Sequence, residues 1–221
     1  MDRLLIFVEG PTEESFVNQV LRPHLEPRGI QPIPQTLGKT RKEAGVPPYD
    51  RFMKEVLTSI DVGKFRFYTT MLDYYGLPRE YPGRVNPVGV TPSELAGHVE
   101  TAIKEDIYLK LPATFRKDRF FPHLQMHEFE AMLYSDPFSL AKTLMAPGIE
   151  ADFKTILDEC GEPEAIDDDP ATAPSKRIKK LMPSYQKVQD GLLAVKRITL
   201  DTIRDKCPHF NHWLTKLENL K

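Results

Sequence analysis

Five acidic residues of the chain have the spacing of a metal-dependent active site. Glu9 follows one short apolar segment, Asp73 ends a second, and Glu128 and Glu130 follow a third. Glu13 lies four residues after Glu9, in the first turn of a predicted helix. Parallel strands bind ligands at their carboxyl ends, so we expect these acids to converge there. Because Mg²⁺ and Mn²⁺ prefer oxygen ligands, the pattern indicates a site for one of these cations.

Each acid also has an ordinary structural interpretation. Glu13 lies where a negative charge favours a helix dipole. Glu9 is compatible with a simple turn, and Asp73 with a cap for the loop that follows it. Glu128 and Glu130 are two residues apart and cannot share one helical face, so we expect one of them to be structural. The spacing alone leaves both interpretations open.

The elements that would position these acids alternate between strands and helices. Short apolar or β-branched runs predict strands over 3–8, 30–37, 64–72 and 119–126. Prolines at positions 32 and 34 restrict the second of these to a sheet edge. Helices are predicted after Pro11, over 49–60, from 92 behind a capping box, and from 129. This alternation predicts an α/β fold with a mostly parallel sheet flanked by helices.

Composition excludes several classes of protein. The chain has 221 residues, of which 40% are apolar and 28% charged, which is typical of a globular domain and excludes a disordered chain. Two cysteines are too few for a disulfide framework. An apolar run long enough to span a membrane is absent, and the first residues do not resemble a signal peptide. We therefore expect a cytoplasmic protein without membrane association.

Charge is divided unevenly along the chain. Residues 175–221 contain 11 Lys and Arg against four Asp and Glu, whereas the preceding residues are net acidic. The pattern predicts an α/β core over 1–150, an acidic linker over 151–174 and a basic helical tail over 175–221 that packs on the core. A basic tail can bind nucleic-acid phosphates, or it can dock on the protein's own acidic surface. The candidate phosphate-binding residues are Lys176, Arg177, Lys179, Lys180 and Lys187.

The same acids carry a family resemblance. Residues 7–14, Phe-Val-Glu-Gly-Pro-Thr-Glu-Glu, resemble the first motif of TOPRIM domains, especially those of OLD-type nucleases. Asp73 resembles the start of the second TOPRIM motif, Asp-x-Asp. Over nearly its whole length the chain also resembles a TOPRIM-like family of bacterial proteins. The matching segments are 73–78, 127–131, 173–177 and 207–210.

This resemblance implies Mg²⁺-dependent cleavage of phosphodiester bonds in DNA or RNA. Glu9 would act as a general acid or base or as a metal ligand, and Glu13 and Asp73 would be ligands. Similar proteins are often encoded beside an ABC-type ATPase in phage-defence gene pairs, which implies an ATPase partner. The sequence contains no Walker P-loop, so the chain is not itself that ATPase.

One departure from the motif leaves two functions open. The second acid of Asp-x-Asp would be at position 75, where this chain has Tyr75. Either Glu128 or Glu130 replaces that acid, or the metal site is altered or lost. The first alternative favours a nuclease, and the second a non-catalytic binding or effector subunit of an ATPase complex. The pattern does not predict the oligomeric state.

Histidine and tyrosine side chains flank the acids. His123 and His127 are four residues apart but lack a further ligand at matched spacing, so zinc is disfavoured. We interpret His127 as a residue that orients a carboxylate or packs in the core. Tyr74 and Tyr75 suit either stacking on a base or packing at a strand end.

Overall fold

The architecture is a parallel sheet covered by helices on both faces. The computed structural model describes residues 1–37, 45–166, 169 and 171–221. The strands are β1 (Asp2–Val8), β2 (Ile30–Thr36), β3 (Phe67–Asp73), β4 (Phe120–Phe121) and β5 (Leu124–Gln125). Their order is β2-β1-β3-β4, and β5 pairs with β3 beyond the end of β4. All strand pairs among the described residues are parallel, which confirms the predicted α/β class.

Ten α-helices surround this sheet in the part of the chain that the structure describes. They are α1 (Pro11–Phe16), α2 (Arg22–Leu25), α3 (Tyr49–Val62), α4 (Pro92–Lys110), α5 (Pro137–Thr143), α6 (Glu150–Cys160), α7 (Pro174–Leu181), α8 (Lys187–Ile198), α9 (Leu200–Lys206) and α10 (Pro208–Glu218). A π-helical segment, Val17–Leu21, joins α1 to α2. None of these helices combines the length and apolar composition that crossing a bilayer requires.

The central strands are buried on both faces because helices cover both sides. In β1, Leu4 and Ile6 belong to one apolar core, together with side chains of α8 and α10. The alternating residues Leu5 and Phe7 belong to a second core, together with α3 and α4. Successive side chains of a strand point to opposite faces, so an uninterrupted apolar run is what a doubly covered strand requires.

Strand boundaries follow the sequence prediction at one side of the sheet and depart from it at the other. The first strand and the proline-containing edge strand lie where we predicted them. The strand predicted over 64–72 begins only at Phe67. The run 119–126 does not form one continuous strand, because Pro122 and His123 separate β4 from β5. Proline has no backbone N–H to donate to a ladder, which accounts for a break at this position.

The helix predicted from position 129 begins as a 3₁₀-helix, Phe129–Ser135, and becomes α-helical only at Pro137. Asp136 between the two segments is extended, as expected for a residue that precedes proline. The prediction of a regular helix is therefore wrong over one short segment. The segment lies directly beside the acids, as described below.

Part of the predicted acidic linker and the whole basic tail are packed structure. Helix α6 lies within the linker and buries Phe153. Asp167, Asp168 and Pro170 of the linker lie outside the described residues. In the tail, Phe210 and Leu214 of α10 are fully buried in the core that contains β1. The tail therefore contributes to the hydrophobic core and is not a surface appendage alone.

Candidate functional site

Two of the predicted acids lie at the carboxyl ends of adjacent central strands. Glu9 directly follows β1, and Asp73 is the last residue of β3. The two strands are parallel, with Val8 opposite Met71, so both acids leave the sheet at the same edge. Gly76 passes close to Glu9, because a Cβ at position 76 would lie 3.4 Å from Glu9 Oε2. The first two predicted site residues are therefore neighbours.

Backbone hydrogen bonds bring the segment after β5 to Asp73. The Tyr75 N–H donates to the His127 carbonyl at 2.9 Å, which extends the pairing of β3 and β5 past the sheet edge. The Phe129 N–H donates to Asp73 Oδ1 at 2.9 Å, so the aspartate caps the 3₁₀-helix. Glu130 lies in the first turn of that helix and is fully buried. Asp73 is therefore both a site residue and a cap.

A lysine ammonium group lies among the acids. Lys187 is the first residue of α8, and its Nζ lies 3.0 Å from Glu130 Oε2 and 3.6 Å from Asp73 Oδ2. We predicted Lys187 as one of several nucleic-acid contacts along the tail, and also considered Lys187 or Lys176 as an electrostatic aid that reaches the metal site. The structure directs the Lys187 charge into the acidic site. The periodicity of a basic helix gives no signal for this inward orientation.

The remaining acids surround the same position. We call Glu9, Glu13, Asp73, Glu128 and Glu130 the carboxylate cluster. Besides Asp73, three of them accept a hydrogen bond: Glu13 from Gly10 N at 3.0 Å, Glu128 from Ser175 N at 2.9 Å, and Glu130 from Tyr185 Oη at 3.3 Å. Glu9 Oε2 is buried without a hydrogen-bond partner among the described residues, whereas Glu130 Oε2 faces the Lys187 ammonium at 3.0 Å. The cluster thus holds more acceptor oxygens than donors.

Helix α8 approaches the cluster closely because of a glycine. A Cβ at Gly191 would lie 3.0 Å from Tyr185 Oη and 3.4 Å from the Phe129 ring. That spacing is tighter than most side chains tolerate. Gly191 therefore lets α8 pack against the 3₁₀-helix while Tyr185 reaches Glu130.

Burial and mutual repulsion make the carboxylate cluster hard to ionise fully. Burial raises the pKa of Glu13 to about 7, and the charge of Lys187 only partly opposes this increase. Burial likewise raises the pKa values of Glu9, Asp73 and Glu130, again against the lowering effect of Lys187. One ammonium group faces five carboxyl groups. Additional positive charge at this position would therefore favour the ionised forms.

The donors of the carboxylate cluster suit a hydrated Mg²⁺ ion. They are all carboxylate oxygens, and one of them, Glu9 Oε2, lacks a hydrogen-bond partner among the described residues. In the described residues, no three carboxyl groups of the cluster each offer an oxygen within 4.8 Å of the others. Mg²⁺ commonly binds one or two carboxylates directly and retains several waters, so a wide set of acids is compatible with it. Asp73, at the end of β3, and Glu13, in the first turn of α1, are the residues that would hold it.

The two residues expected to have different roles, Glu128 and Glu130, are both buried in the site. Glu128 is the N-cap residue of the 3₁₀-helix, and Glu130 faces Lys187. They do not need to share a helical face, because Glu128 lies in extended backbone before the helix begins. Glu128 also accepts a hydrogen bond from Ser175 N in the first turn of α7, so the expectation that one of the two is structural stays a prediction.

The aromatic residues beside the acids are mostly used for packing. Tyr74 is buried, with the Arg84 guanidinium 4.1 Å from its ring centre and the His127 ring edge-on at 5.5 Å. Tyr75 is half-buried. Because the Tyr74 ring is buried, it cannot stack on a base. Of the two interpretations we considered, packing at a strand end is the one that fits Tyr74.

The other predicted phosphate-binding residues lie on α7, next to the cluster. The side chains of Lys176, Lys179 and Lys180 are exposed. Arg177 is half-buried, and its side chain donates to the Thr172 carbonyl at 2.6 Å. The first turn of α7 is attached to the site by the bond from Ser175 to Glu128. The structure therefore attaches the N-terminal turn of this basic helix to the carboxylate cluster.

Sequence reasoning missed a second group of potential ligands. Glu100, His123 and His209 form the one set of three acidic, histidine or cysteine side chains, among the described residues, whose ligand atoms lie within 4.8 Å of one another. Burial would raise the pKa of Glu100, but the imidazoles of His123 and His209 outweigh it and hold the pKa at about 2. Burial lowers the pKa of His123 to about 4. No sequence spacing connects these residues, which come from three separate segments.

The comparisons with known proteins identify a family but do not assign an activity to it. Neither the curated proteins nor the solved structures contain a match to this chain. The comparisons therefore neither support nor contradict the TOPRIM resemblance. One family model matches residues 8–218, which is nearly the entire chain, and it is described as a domain of unknown function, DUF4276. The protein is therefore a member of the DUF4276 family.

Proposed function

We propose that the protein is a Mg²⁺- or Mn²⁺-dependent nuclease of TOPRIM type. The observation that supports this most strongly is the convergence of five carboxyl groups at the carboxyl edge of a parallel sheet, with a basic helix beside them. Phosphodiester cleavage requires both features, because a cation must offset charge on the attacked phosphate and basic residues must hold the backbone.

Individual residues have separable tasks in this proposal. Glu9, with one oxygen free of hydrogen bonds to the described residues, accepts the proton of the water whose oxygen attacks the phosphorus; one P–O ester bond breaks, and the leaving oxygen takes a proton from solvent. Asp73 and Glu13 hold the cation, and Asp73 is kept rigid by its hydrogen bond from Phe129. When bound, Mg²⁺ would offset negative charge on the phosphate. Lys187, about one third exposed, adds a further positive charge at the same point.

The basic helix α7 supplies affinity for the substrate. Its exposed lysines, 176, 179 and 180, can contact successive phosphates of a strand that enters the site. Such contacts bind nucleic acid without sequence specificity. The hydrogen bond from Ser175 N to Glu128 attaches α7 to the carboxylate cluster, which keeps a bound strand close to the acids.

The cellular context in this proposal rests on the family resemblance. A TOPRIM-type nuclease of this kind would act in the cytoplasm, in phage defence or DNA processing, together with an ABC-type ATPase. Copurification with such an ATPase, and cleavage that requires it, would support this context.

A cleavage assay tests the proposed activity. The purified protein is incubated with single- and double-stranded DNA and RNA in Mg²⁺ or Mn²⁺, with and without an ATPase partner. We expect cleavage that is lost in Asp73→Asn and Glu9→Gln and retained in Glu105→Gln, a helix α4 variant remote in sequence from the cluster. Cleavage by Asp73→Asn at the parental rate would contradict the proposal.

A second candidate function is a non-catalytic binding or effector subunit. Two observations favour it: Lys187 already lies between Asp73 and Glu130, and Tyr75 replaces the second acid of the motif. This alternative predicts that the cluster binds no divalent cation at millimolar concentrations. Calorimetric binding of Mg²⁺ or Mn²⁺ that Glu9→Gln abolishes would exclude it.

A further inference from the structure

The group of Glu100, His123 and His209 lies at the edge of the sheet where β4 gives way to β5. Helix α4 carries Glu100, the interruption between the strands carries His123, and the first turn of α10 carries His209. Helices α4 and α10 pack against opposite faces of the sheet, yet they contact each other at this edge. The short strands therefore leave a position where three side chains from two layers meet.

Ordinary hydrogen bonds satisfy Glu100 and His209 but not His123. The Nε2 atom of His209 lies 2.8 Å from Glu100 Oε1, but His123 Nδ1 lies 3.6 Å from the same oxygen. A separation of 3.6 Å is too long for a hydrogen bond. The other ring nitrogen of His123, Nε2, is buried without a hydrogen-bond partner among the described residues. The fully buried His123 imidazole thus has one ring nitrogen without a hydrogen bond to the described residues and the other 3.6 Å from a carboxylate oxygen.

The rings are held firmly in place. The His123 ring stacks on Trp213, with centroids 4.4 Å apart and planes 8° apart. The ring of His209 stacks against the same imidazole at 4.9 Å. The backbone of His123 is fixed as well, because its N–H and carbonyl both bond to Thr70 Oγ1, at 2.8 Å and 2.6 Å. Such rigid positioning is what a preformed metal site requires.

Two imidazole nitrogens and one carboxylate oxygen are a donor set that suits Zn²⁺. Donor atoms that bind one tetrahedral Zn²⁺ at about 2.0–2.2 Å lie roughly 3.3 Å apart. The measured separations from Glu100 Oε1, 2.8 Å and 3.6 Å, lie on either side of that value. The carboxylate also accepts a hydrogen bond from Leu124 N at 2.7 Å, which orients it.

We propose that Glu100, His123 and His209 bind a Zn²⁺ ion, separate from the carboxylate cluster and independent of the proposed nuclease activity. Three protein ligands leave a fourth position for water. The ion joins α4, the segment before β5, and α10, which belong to both faces of the sheet. It therefore connects the basic tail to the rest of the fold.

Zinc titration of the full-length protein tests this site. After removal of metal with EDTA and dialysis, we expect one Zn²⁺ per chain by calorimetry. Substitution with Co²⁺ should give the visible absorption typical of four-coordinate cobalt. Glu100→Gln and His209→Gln should each weaken Zn²⁺ binding at least about 100-fold, because loss of even an outer-sphere partner costs about 10–100-fold.

Two control variants localise the ion. His212→Gln, which alters an exposed histidine of the same helix, should bind zinc like the parent. Glu9→Gln should also retain the ion, because Glu9 belongs to the carboxylate cluster. Zinc binding by Glu100→Gln at the parental affinity, or loss of binding in Glu9→Gln, would overturn the proposal.

X-ray absorption of the zinc-loaded parent gives a readout that does not depend on variants that fold poorly. We expect a first coordination shell with two imidazoles and at least one oxygen. A shell of oxygens alone, or the absence of bound zinc, would overturn the proposal.

Discussion

At the scale of residues, Lys187 determines how much of the negative charge of the carboxylate cluster is offset by the protein itself. Its ammonium lies between Asp73 and Glu130 and offsets part of the repulsion among the carboxyl groups. An unpaired buried carboxylate is costly, so the lysine and a divalent cation have overlapping electrostatic effects. Stability measurements with and without the lysine and the cation therefore test whether one can replace the other.

Lys187→Met should destabilise the protein in EDTA, and Mg²⁺ should partly reverse the loss. Breaking a fully buried ion pair costs about 3–5 kcal/mol, but this ammonium is about one third exposed. We therefore expect about 1–2 kcal/mol, which lowers Tm by about 2–8 °C. Thermal unfolding with and without millimolar Mg²⁺ measures it. An unchanged Tm in EDTA would show that Lys187 does not stabilise the cluster.

Glu13 should make stability depend on pH. Its pKa is about 7 in the folded protein against an ordinary value of 4.5, so the folded state binds more protons than the unfolded state between these values. Stability in EDTA should therefore fall as pH rises through this window. Glu13→Gln, which keeps an acceptor for Gly10 N, should raise Tm relative to the parent more at about pH 8 than at about pH 5. An equal difference at both pH values would contradict the assignment.

At the scale of elements, short segments with strong capping position the functional residues. Glu164 is fully buried, and its carboxylate accepts from the backbone N–H groups of His209 and Phe210 at 2.8 Å and 2.9 Å. These are first-turn N–H groups of α10, which have no partner within the helix. A residue of the predicted linker thus anchors the C-terminal helix.

Glu164→Ala should lower the free energy of unfolding by about 2–6 kcal/mol, because two buried N–H groups lose their acceptor at about 1–3 kcal/mol each. Urea denaturation measures this change. The control, Glu159→Ala, alters an exposed acid of α6 and should change stability by no more than about 0.5 kcal/mol. Equal effects of the two substitutions would show that the cap is not important.

Helix α7 should control the salt dependence of nucleic-acid binding. Replacing lysines 176, 179 and 180 together by glutamine should weaken binding to all sequences alike. It should also reduce the slope of log affinity against log salt by up to about 1 for each lysine–phosphate interaction that the substitutions remove. Fluorescence anisotropy over a range of salt concentrations measures both effects. An unchanged slope would show that α7 does not bind phosphates.

At the scale of the whole molecule, the basic tail is part of the fold. Trp213 of α10 donates from its ring N–H to Thr69 Oγ1 of β3 at 3.0 Å, and Lys187 of α8 enters the acidic site. A basic residue of the tail, Lys187, therefore meets acidic residues of the preceding chain inside the molecule. On α7 the basic side chains remain available to solvent.

A chain that ends at residue 174 should not fold independently. Removal of α8 and α10 would expose the apolar face of the sheet that includes Leu4 and Ile6. We expect loss of cooperative thermal unfolding and binding of hydrophobic dyes. The full-length chain is the control. A truncated protein with a cooperative transition would show that residues 1–174 are an independent domain.

Local sequence signals predicted most of the sheet and the acids at its edge. Apolar runs, proline positions and the capping box of α4 operate over a few residues, so β1, β2 and the start of α4 lie where we predicted. Glu9 and Asp73 were placed together because parallel strands end at a common edge. The break between β4 and β5 was missed, because an apolar run does not show how far a strand pairs.

The sequence by itself determined the parallel α/β class and the edge at which the acids gather, because both follow from short-range periodicity. Tertiary structure alone decided that Lys187 faces the acids and that Glu100 meets His209. These residues are far apart in the chain, and only packing of the C-terminal helices on the sheet sets the distances between them.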